Sequence, residues 1–323
     1  MSIPRITVVG SYATGLTLKV KRLPYTGETV LASGYRVHYG GKGSNQAVGC
    51  ARLGAEVAFV AKIGADAFGE MALRLYRQEG IDAAFVHQTA EHPTGMAFIF
   101  VEAERGNNCI ALDPGANDFL SPLDVAQCDA ALKTSAVLLT QLEIPVASAA
   151  AALFRGRANG ATTILNPAPV RPFPPSVLPL VDVLTPNQTD AKVLTGRSPD
   201  AGVEPEEVAR DLIRAGVRQV VMTLGEKGAL IVTASSAMHV PAMSMPAVDT
   251  TGAGDAFNAG LATALACGES LESAVEFAVV TGGLAVTREG VIPSLPRRKE
   301  VVQFYHDRSL RPPNWLVASG SAE

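Results

Sequence analysis

The stretch DTTGAGDAF, residues Asp249 to Phe257, places small residues directly before a carboxylate. From Asp255 onward, apolar residues and alanines follow a helical spacing that ends at Gly268. The small residues therefore precede the first turn of a closely packed helix, where unpaired backbone N–H groups and the helix dipole attract anions. Two interpretations follow. Asp255 caps the helix beside a glycine turn, or it accepts a proton next to a phosphate-binding loop, an arrangement suited to phosphoryl transfer.

A second glycine cluster lies in GGKGSNQAVG, residues 40–49. Its glycines permit close approach of the backbone, and we predict a helix that starts near Ser44 with Lys42 and Asn45 at its mouth. The order G-x4-G-K-[ST] is absent, so this is not a Walker A loop. Taken alone, the cluster fits either a ligand-binding loop or a tight turn between a strand and a helix.

Short β-branched runs alternate with segments of helix length along most of the chain. These runs are ITVVG (6–10), VAFVAKIG (57–64), AVLLTQLE (136–143), ATTILN (161–166), VDVLTPN (181–187) and VRQVVMTLG (217–225). Apolar runs of this kind, bounded by turn residues, are typical of parallel strands joined by crossover helices. We therefore predict an α/β fold with a doubly wound, mostly parallel sheet.

Two segments break this alternation, at residues 15–39 and 94–112. Both have the pattern of extended strands, and neither is followed at once by a helix, which predicts a small antiparallel sheet that projects as a lid. We expect one domain over residues 1–310, and a C-terminal tail over 311–323 whose polar end, ASGSAE, is frayed.

The composition limits the possible partners. The chain has 323 residues, of which 47% are hydrophobic and 18% charged, and its net charge of -4 gives no basic surface for nucleic acid. There is no apolar run long enough to span a membrane and no signal-peptide region, so we expect a cytoplasmic protein without a membrane partner. The cysteines are widely spaced, and we predict that all are buried thiols: Cys50, Cys109, Cys128 and Cys267.

Together, the early GGKGxNQA and the late DTTGAGDAF resemble the two signature motifs of the ribokinase-like (PfkB) carbohydrate kinase family. Similarity to the ribokinase branch extends over residues 3 to about 305 and includes LPYTGETV, NPAPV, TPNQTDAKVLTG, TLGEKGA and AVTREGVIPSLP. The resemblance implies a kinase that uses ATP to phosphorylate a primary hydroxyl of a sugar or a sugar-like molecule.

The resemblance also implies a role for individual residues. Asp255 would act as general base on the sugar hydroxyl, and the backbone amides of Gly252, Ala253 and Gly254 would form the anion hole for the transferred phosphoryl group. The substrate pocket would contain Gly41, Lys42, Asn45, Glu143 and Asp255, and ATP would be bound at Asn187, Thr223 and Gly225.

Metal ions are implied in the same way. The family's Asn-x-x-Glu element supports Mg²⁺, and here it reads Asn187-Gln-Thr-Asp190, whose carboxylate is one methylene shorter and would reach the metal through water. The monovalent-cation loop of ribokinases resembles a set of residues for which we expect K⁺ activation: Asp249, Thr251, Ala285, Arg288, Gly290 and Ser294.

The segment after the first strand departs from the family. Ribokinases read Gly-Ser-x-Asn-x-Asp there and hold sugar hydroxyls with the last two polar side chains, whereas this chain has Ala13 and Gly15 at those positions. Loss of a carboxylate that holds a hydroxyl costs roughly 2–5 kcal/mol, so we expect D-ribose to fit poorly.

Three explanations of this departure are open. The substrate lacks hydroxyls at this place or carries a bulkier or anionic group, the protein is not catalytic, or the lid supplies a replacement from Thr17, Lys19, His38 or Tyr39. Because the other predicted site residues persist, we favour a kinase of altered specificity. The alternatives are a nucleoside kinase and a non-catalytic ligand-binding member of the fold. The lid strands expose edges, and the resemblance implies a homodimer in which two lids pair.

Overall fold

The computed structural model describes residues 3–103 and 107–317, so the predicted frayed segment 318–323 lies outside it. Within these residues the strands are β1 Arg5–Val9, β2 Ala13–Val20, β3 Ala32–Gly40, β4 Glu56–Gly64, β5 Asp82–Thr89, β6 Met96–Glu102, β7 Asn108–Asp113, β8 Val137–Gln141, β9 Thr162–Asn166, β10 Val183–Leu184, β11 Gln219–Thr223, β12 Ala229–Val232 and β13 Ala237–Val240. The helices are α1 Lys42–Arg52, α2 Ala67–Gln78, α3 Pro122–Ala126, α4 Asp129–Leu132, α5 Val146–Ala158, α6 Gln188–Leu194, α7 Pro205–Arg214, α8 Ala253–Ala266, α9 Leu271–Ala285, α10 Val291–Ser294, α11 Arg298–Asp307 and α12 Asn314–Val317.

The main sheet has nine strands in the order β13-β12-β11-β10-β9-β8-β1-β4-β5. Neighbouring strands run parallel from β5 to β11, and only β12 and β13 are added antiparallel at one edge. Both faces are buried: Val8 belongs to a core with α1, α2, α8, α9 and α11, whereas Val9 belongs to a core with α3 to α7. The predicted doubly wound α/β fold is confirmed.

The strand order reverses direction beside β1. The chain passes from β1 to β4 on one side and later adds β8 on the other, so the carboxyl ends of β1 and β8 flank the crevice in which α/β proteins bind ligands. Gly10 and Ser11 follow β1, and Glu143 follows β8. The fold thus brings the two segments to one place.

A separate four-stranded sheet, in the order β3-β2-β6-β7, forms the lid. Its strands match the predicted segments, but the expectation of a wholly antiparallel sheet is wrong, because β2 pairs with β6 in parallel. The physical reason is the topology. β2 follows β1 and β6 follows β5, and β1 and β5 end at the same edge of the main sheet, so both lid strands leave it in the same direction.

The domain extends further than predicted. Residues of α12, within the proposed C-terminal tail, pack on the core, where Trp315 is 6% exposed and its ring lies edge-on to Phe277 with centroids 4.9 Å apart. A boundary at residue 310 is therefore too early, because the large apolar surface of the tryptophan is buried against α9. The domain reaches at least Val317.

The cysteine prediction holds for two of the four thiols. Cys50 and Cys128 are buried, Cys267 at the end of α8 is partly exposed, and Cys109 is exposed. The prediction is wrong for Cys109 because it lies on β7, an edge strand of the two-sided lid. None of the helices in residues 3–103 and 107–317 is long and apolar enough to cross a membrane.

Candidate active site

Helix α8 presents a buried carboxylate in its first turn. Gly252 precedes the helix with φ 84°, a left-handed conformation that favours glycine, and the chain then turns so that Asp255 is only 6% exposed. The Asp255 Oδ2 atom accepts a hydrogen bond from Asn45 Nδ2 (2.8 Å), and its Oδ1 accepts one from Gln46 Nε2 (2.9 Å). The late motif and the early glycine motif therefore meet at one carboxylate.

Burial raises the pKa of Asp255 above the usual range of a carboxyl group, while the Lys42 ammonium and the amides of Asn45 and Gln46 oppose this rise. In turn, the pKa of Lys42 is raised chiefly by Asp255, with further contributions from Glu143 and Asp190. The ammonium group thus lies in the field of three carboxylates. A carboxylate whose affinity for a proton is raised in this way suits general-base chemistry near neutral pH.

The opposite wall of the crevice is built around Glu143. Its Oε2 atom accepts hydrogen bonds from the backbone N–H of Lys42 (2.8 Å) and from Ser11 Oγ (2.6 Å). Ser11 was not among the predicted site residues, although it follows β1 at the point where the strand order reverses. The Ser11 hydroxyl thus links the end of β1 to Glu143, which follows β8.

Close contact between α1 and the end of β1 depends on glycine. A Cβ atom on Gly43 would lie 2.4 Å from the nitrogen of Ser11 and 2.7 Å from the Cα of Gly10. Gly41, which precedes α1, has φ 89°. The helix begins at Lys42, two residues before the predicted start, so Lys42 and Asn45 both belong to its first turn.

A chain of buried amides continues behind Asp255. Gln46 Oε1 accepts a hydrogen bond from Gln141 Nε2 (2.5 Å), and Gln46 Nε2 also approaches Asn166 Oδ1 (3.3 Å). Asn45 Oδ1, by contrast, is buried without a hydrogen-bond partner in the described part of the chain. Sequence reasoning missed Gln46, Gln141 and Asn166, although Gln46 directly follows the predicted Asn45 in α1 and was a usable signal.

A cleft of about 760 Å³ ends at the N-terminus of α8, where it is lined by Ala253 and Gly254. The predicted residues Thr223 and Gly225 also line it. Its apolar walls, which the sequence did not reveal, include Met243, Met245, Ala247, Phe257, Val279 and Val286. This volume and mixture of apolar walls with a few polar groups are typical of small-molecule sites.

The pattern of the pfkB family carbohydrate kinases matches residues 4–298. The chain belongs to this family. It is similar to a ribokinase of Haemophilus influenzae, 38% identical over 302 residues that cover 93% of this chain and 97% of the relative. It is also similar to a deoxyribokinase of Salmonella typhi, 35% identical over 300 residues that cover 93% and 98%.

Among solved structures, the fold resembles an Arabidopsis thaliana ribokinase complexed with ribose and ATP. The TM-score is 0.86 at 30% identity, and the match covers 94% of this chain and 98% of that chain. The resemblance drawn from the two glycine-rich motifs is therefore confirmed, and this pfkB kinase is a sugar kinase, a phosphotransferase.

In this kinase, the predicted Asn187 and Asp190 lie at the start of α6. Asn187 Oδ1 accepts a hydrogen bond from the Asp190 N–H (2.7 Å), so the side chain caps the helix, and Asn187 also forms a β-bridge with Thr223. Asp190 is half-buried, and burial raises its pKa against the opposing charge of Lys42. The structure thus brings Asn187 to Thr223 and places Asp190 in the field of Lys42.

Two residues of the predicted monovalent-cation loop, Thr251 and Gly290, contact Asp249. Its Oδ1 accepts a hydrogen bond from the Thr251 N–H and its Oδ2 from the Gly290 N–H, both 2.9 Å. Burial raises the pKa of Asp249, but these hydrogen bonds outweigh that effect and hold the pKa below its usual range. The carboxylate therefore stays ionised. The Arg288 side chain pairs with Glu300 (2.6 Å), and the Ser294 hydroxyl donates to the Val291 carbonyl (2.8 Å), while Ala285 ends α9.

The predicted anion hole is open at one glycine. A Cβ atom on Gly254 would meet no atom of the described residues within 4 Å. The Ala253 N–H makes a long hydrogen bond to the Thr250 carbonyl (3.3 Å), so it must leave this carbonyl to bind an anion. Gly254 therefore offers the most accessible approach to the helix N-terminus.

Proposed function

We propose that this kinase transfers the γ-phosphoryl group of ATP to a primary hydroxyl of a sugar or sugar-like substrate. One observation carries the proposal: Asp255 is a buried carboxylate in the first turn of α8, and Gly254 of the same turn lines a cleft large enough for a nucleotide. The proton acceptor and the anion-binding helix end are thus adjacent residues.

Asp255 acts as the general base. Its carboxylate takes the proton of the substrate hydroxyl as the oxygen forms a bond to the γ-phosphorus, and the bond between that phosphorus and the bridging oxygen breaks to release ADP. The raised pKa of Asp255 makes this proton transfer more favourable than for an exposed carboxylate. The backbone of Gly252, Ala253 and Gly254 then stabilises the negative charge of the phosphoryl group.

The sugar lies between α1 and the segment that follows β8. Asn45 Oδ1, the buried acceptor without a partner among the described residues, receives a hydroxyl hydrogen. Glu143 and the Lys42 ammonium supply an acceptor and a donor on either side, and Gly41 lets the substrate approach the backbone. These contacts fix the hydroxyl beside Asp255.

The nucleotide lies in the cleft, with its base among the apolar walls and its phosphates directed to Gly254. Thr223 and Gly225 line this cleft, and Asn187 adjoins it through its bridge to Thr223. Support comes from the Arabidopsis ribokinase structure, whose complex contains ribose and ATP.

The acidic groups present fit two cations. Asp190 would hold Mg²⁺ through water, and the metal would neutralise phosphate charge during transfer. The ionised Asp249, together with backbone carbonyls near Thr251, Ala285, Arg288, Gly290 and Ser294, would hold K⁺ next to the N-terminus of α8. In both places this chain's residues supply the oxygen ligands that such hard cations prefer.

The lid face turned away from the site suits contact with a second copy of this chain. Strand register places on this face Leu16, Leu18, Tyr35, Val37, Phe98 and Phe100. Tyr35 is 72% exposed, Val37 41% and Phe98 39%. Exposed apolar side chains of this kind mark interaction surfaces, and we propose a homodimer through the lids. Light scattering should give twice the chain mass for the wild type and a monomer for Tyr35→Glu; a wild-type monomer would overturn the dimer.

The function is tested by product analysis. Purified protein with ATP, Mg²⁺ and K⁺ is incubated with aldoses, ketoses, polyols, sugar acids and nucleosides, and the products are analysed by ³¹P NMR. We expect ADP together with a phosphate monoester on a primary carbon of a sugar other than D-ribose. A nucleoside monophosphate as the main product would favour the nucleoside kinase alternative, and no phosphate ester with any compound would contradict catalysis.

A further inference from the structure

His38 occupies the space beside Gly15. The two residues are paired directly across β2 and β3, and a Cβ atom on Gly15 would lie 1.9 Å from the imidazole Cε1 and 2.3 Å from Nδ1. The imidazole Nε2 is 2.8 Å from Thr17 Oγ1, on the same face of the lid. Glycine is therefore needed at position 15 for space, because any larger side chain would displace the imidazole.

The His38 face of the lid is the face turned to the active site. Tyr12 packs edge-on to Tyr76, and its hydroxyl is 3.1 Å from Thr14 Oγ1, so these alternate residues point into the domain. Ser11 points the other way, to Glu143. Because side chains alternate along an extended chain, Ala13 and Gly15 share the side of Ser11.

The charged side chains on this face differ from those of a site in which a carboxylate holds the sugar hydroxyls. By register, the charged side chains that the described lid strands place on this face are Lys19 and Arg36, and these strands add no carboxylate to it, although Arg36 lies 3.6 Å from the Glu289 carboxylate outside the lid. Burial lowers the pKa of His38, which keeps the imidazole uncharged at neutral pH. The lid end of the pocket thus offers a neutral ring, and no carboxylate of the described lid strands lies on this face to repel an anionic group.

We propose that His38, held by Thr17 and accommodated by Gly15, is the residue of the lid that selects the sugar. It makes one hydrogen bond to an oxygen at the end of the substrate remote from Asp255, in place of the two acceptors that a carboxylate offers to neighbouring hydroxyls. A substrate that presents an acceptor oxygen there, such as a carbonyl or a carboxylate, is preferred over D-ribose. This inference rests on the proposed kinase activity.

The test compares the substrate preference of matched variants. For the wild type, kcat/KM is measured on D-ribose, ketoses, polyols and sugar acids, and the ratio of the best substrate to D-ribose is taken as the specificity. His38→Ala should lower this ratio roughly tenfold, the effect of about one hydrogen bond, through KM of the sugar. The kcat and the KM of ATP should stay within about threefold, and His38→Asn should restore part of the loss.

Gly15→Ala provides an independent test of the steric arrangement. Its methyl group should displace the imidazole and reproduce the loss of specificity, whereas in a His38→Ala background the same change should have no further effect. Thr17→Val, which keeps the shape of the side chain, should lower the ratio in the same direction. His306→Ala, an exposed histidine on α11, is the control and should leave every parameter unchanged.

The outcomes are distinguishable. A specificity ratio that His38→Ala leaves within twofold, or an equal loss on every sugar, would overturn the role of His38 while the kinase activity stands. A Gly15→Ala effect that persists in the His38→Ala background would also overturn it. Absence of ADP release by the wild type on the whole panel would overturn the proposed function, and this inference with it.

Discussion

Replacement of Gln46 by methionine should shift the pH dependence of the reaction. Gln46 Nε2 donates to Asp255 Oδ1 at 2.9 Å, and methionine removes this hydrogen bond with little change in side-chain length. A hydrogen bond to a charged group contributes about 1.5–3 kcal/mol, and 1.36 kcal/mol corresponds to one pH unit. The midpoint of the acidic limb of kcat should therefore rise by about one to two pH units.

The midpoint should rise because the Gln46 amide stabilises the ionised form of Asp255. Burial already raises the pKa of Asp255, and Gln46 opposes that rise, so its removal leaves less of the base ionised at a given pH. The assay is kcat from pH 5.5 to 9 with saturating substrates. Activity of the variant should approach that of the wild type at high pH, and Gln303→Met, an exposed glutamine on α11, should behave as the wild type. An unchanged midpoint, or a uniform loss at all pH values, would refute the reasoning.

Three further predictions concern the surroundings of the base. Gly43→Ala should lose the folded state at 37 °C, because the new methyl group would collide with Ser11 and Gly10. At Gly254 the methyl group would meet no described atom, so Gly254→Ala should keep the melting temperature within about 2 °C and lower kcat at least tenfold. Equal melting temperatures of the two variants would contradict this. Asp190→Asn should raise the Mg²⁺ concentration that gives the half-maximal rate about tenfold, while Asp190→Glu should leave it unchanged. An unaltered Mg²⁺ dependence of Asp190→Asn would place the metal elsewhere. Asp249→Asn should abolish activation by K⁺ and leave the rate without K⁺ within about twofold, as a K⁺ titration will show; retained activation would contradict the predicted site.

The sequence was sufficient for the fold of the main sheet. Runs such as ITVVG and VAFVAKIG are buried on both faces, and a strand of that kind has few alternatives to a parallel sheet covered by helices. The parallel pairing of β2 with β6 could not be obtained in this way. It depends on which edge of the main sheet each lid strand leaves, and local periodicity carries no information about that.

The residues of the candidate site likewise fall into two groups, those that short sequence motifs reveal and those that only the fold brings together. Asp255, Lys42 and Asn45 were found because they stand beside glycines, and Glu143 was implied by the family resemblance. The residues that orient them, Ser11 and Gln46, make contacts across 132 and 209 positions of the chain. Short motifs do not contain such contacts. The position of His38 beside Gly15 likewise depends on the register of β2 and β3. From the sequence, His38 was one of four lid residues considered as a replacement for the missing carboxylate.

The most direct test of the kinase mechanism is ADP release by Asp255→Asn. The variant should keep its fold, because Asn45 can turn its amide and offer its Oδ1, which has no partner among the described residues, to the new Nδ2, while Gln46 retains its acceptor. Its kcat should fall at least about a thousandfold on the best sugar, with the KM of ATP unchanged, since a general base contributes about 10²–10⁴ and the lost charge adds to that. A folded variant that keeps more than about a tenth of the wild-type kcat would contradict the assignment of Asp255 as the base.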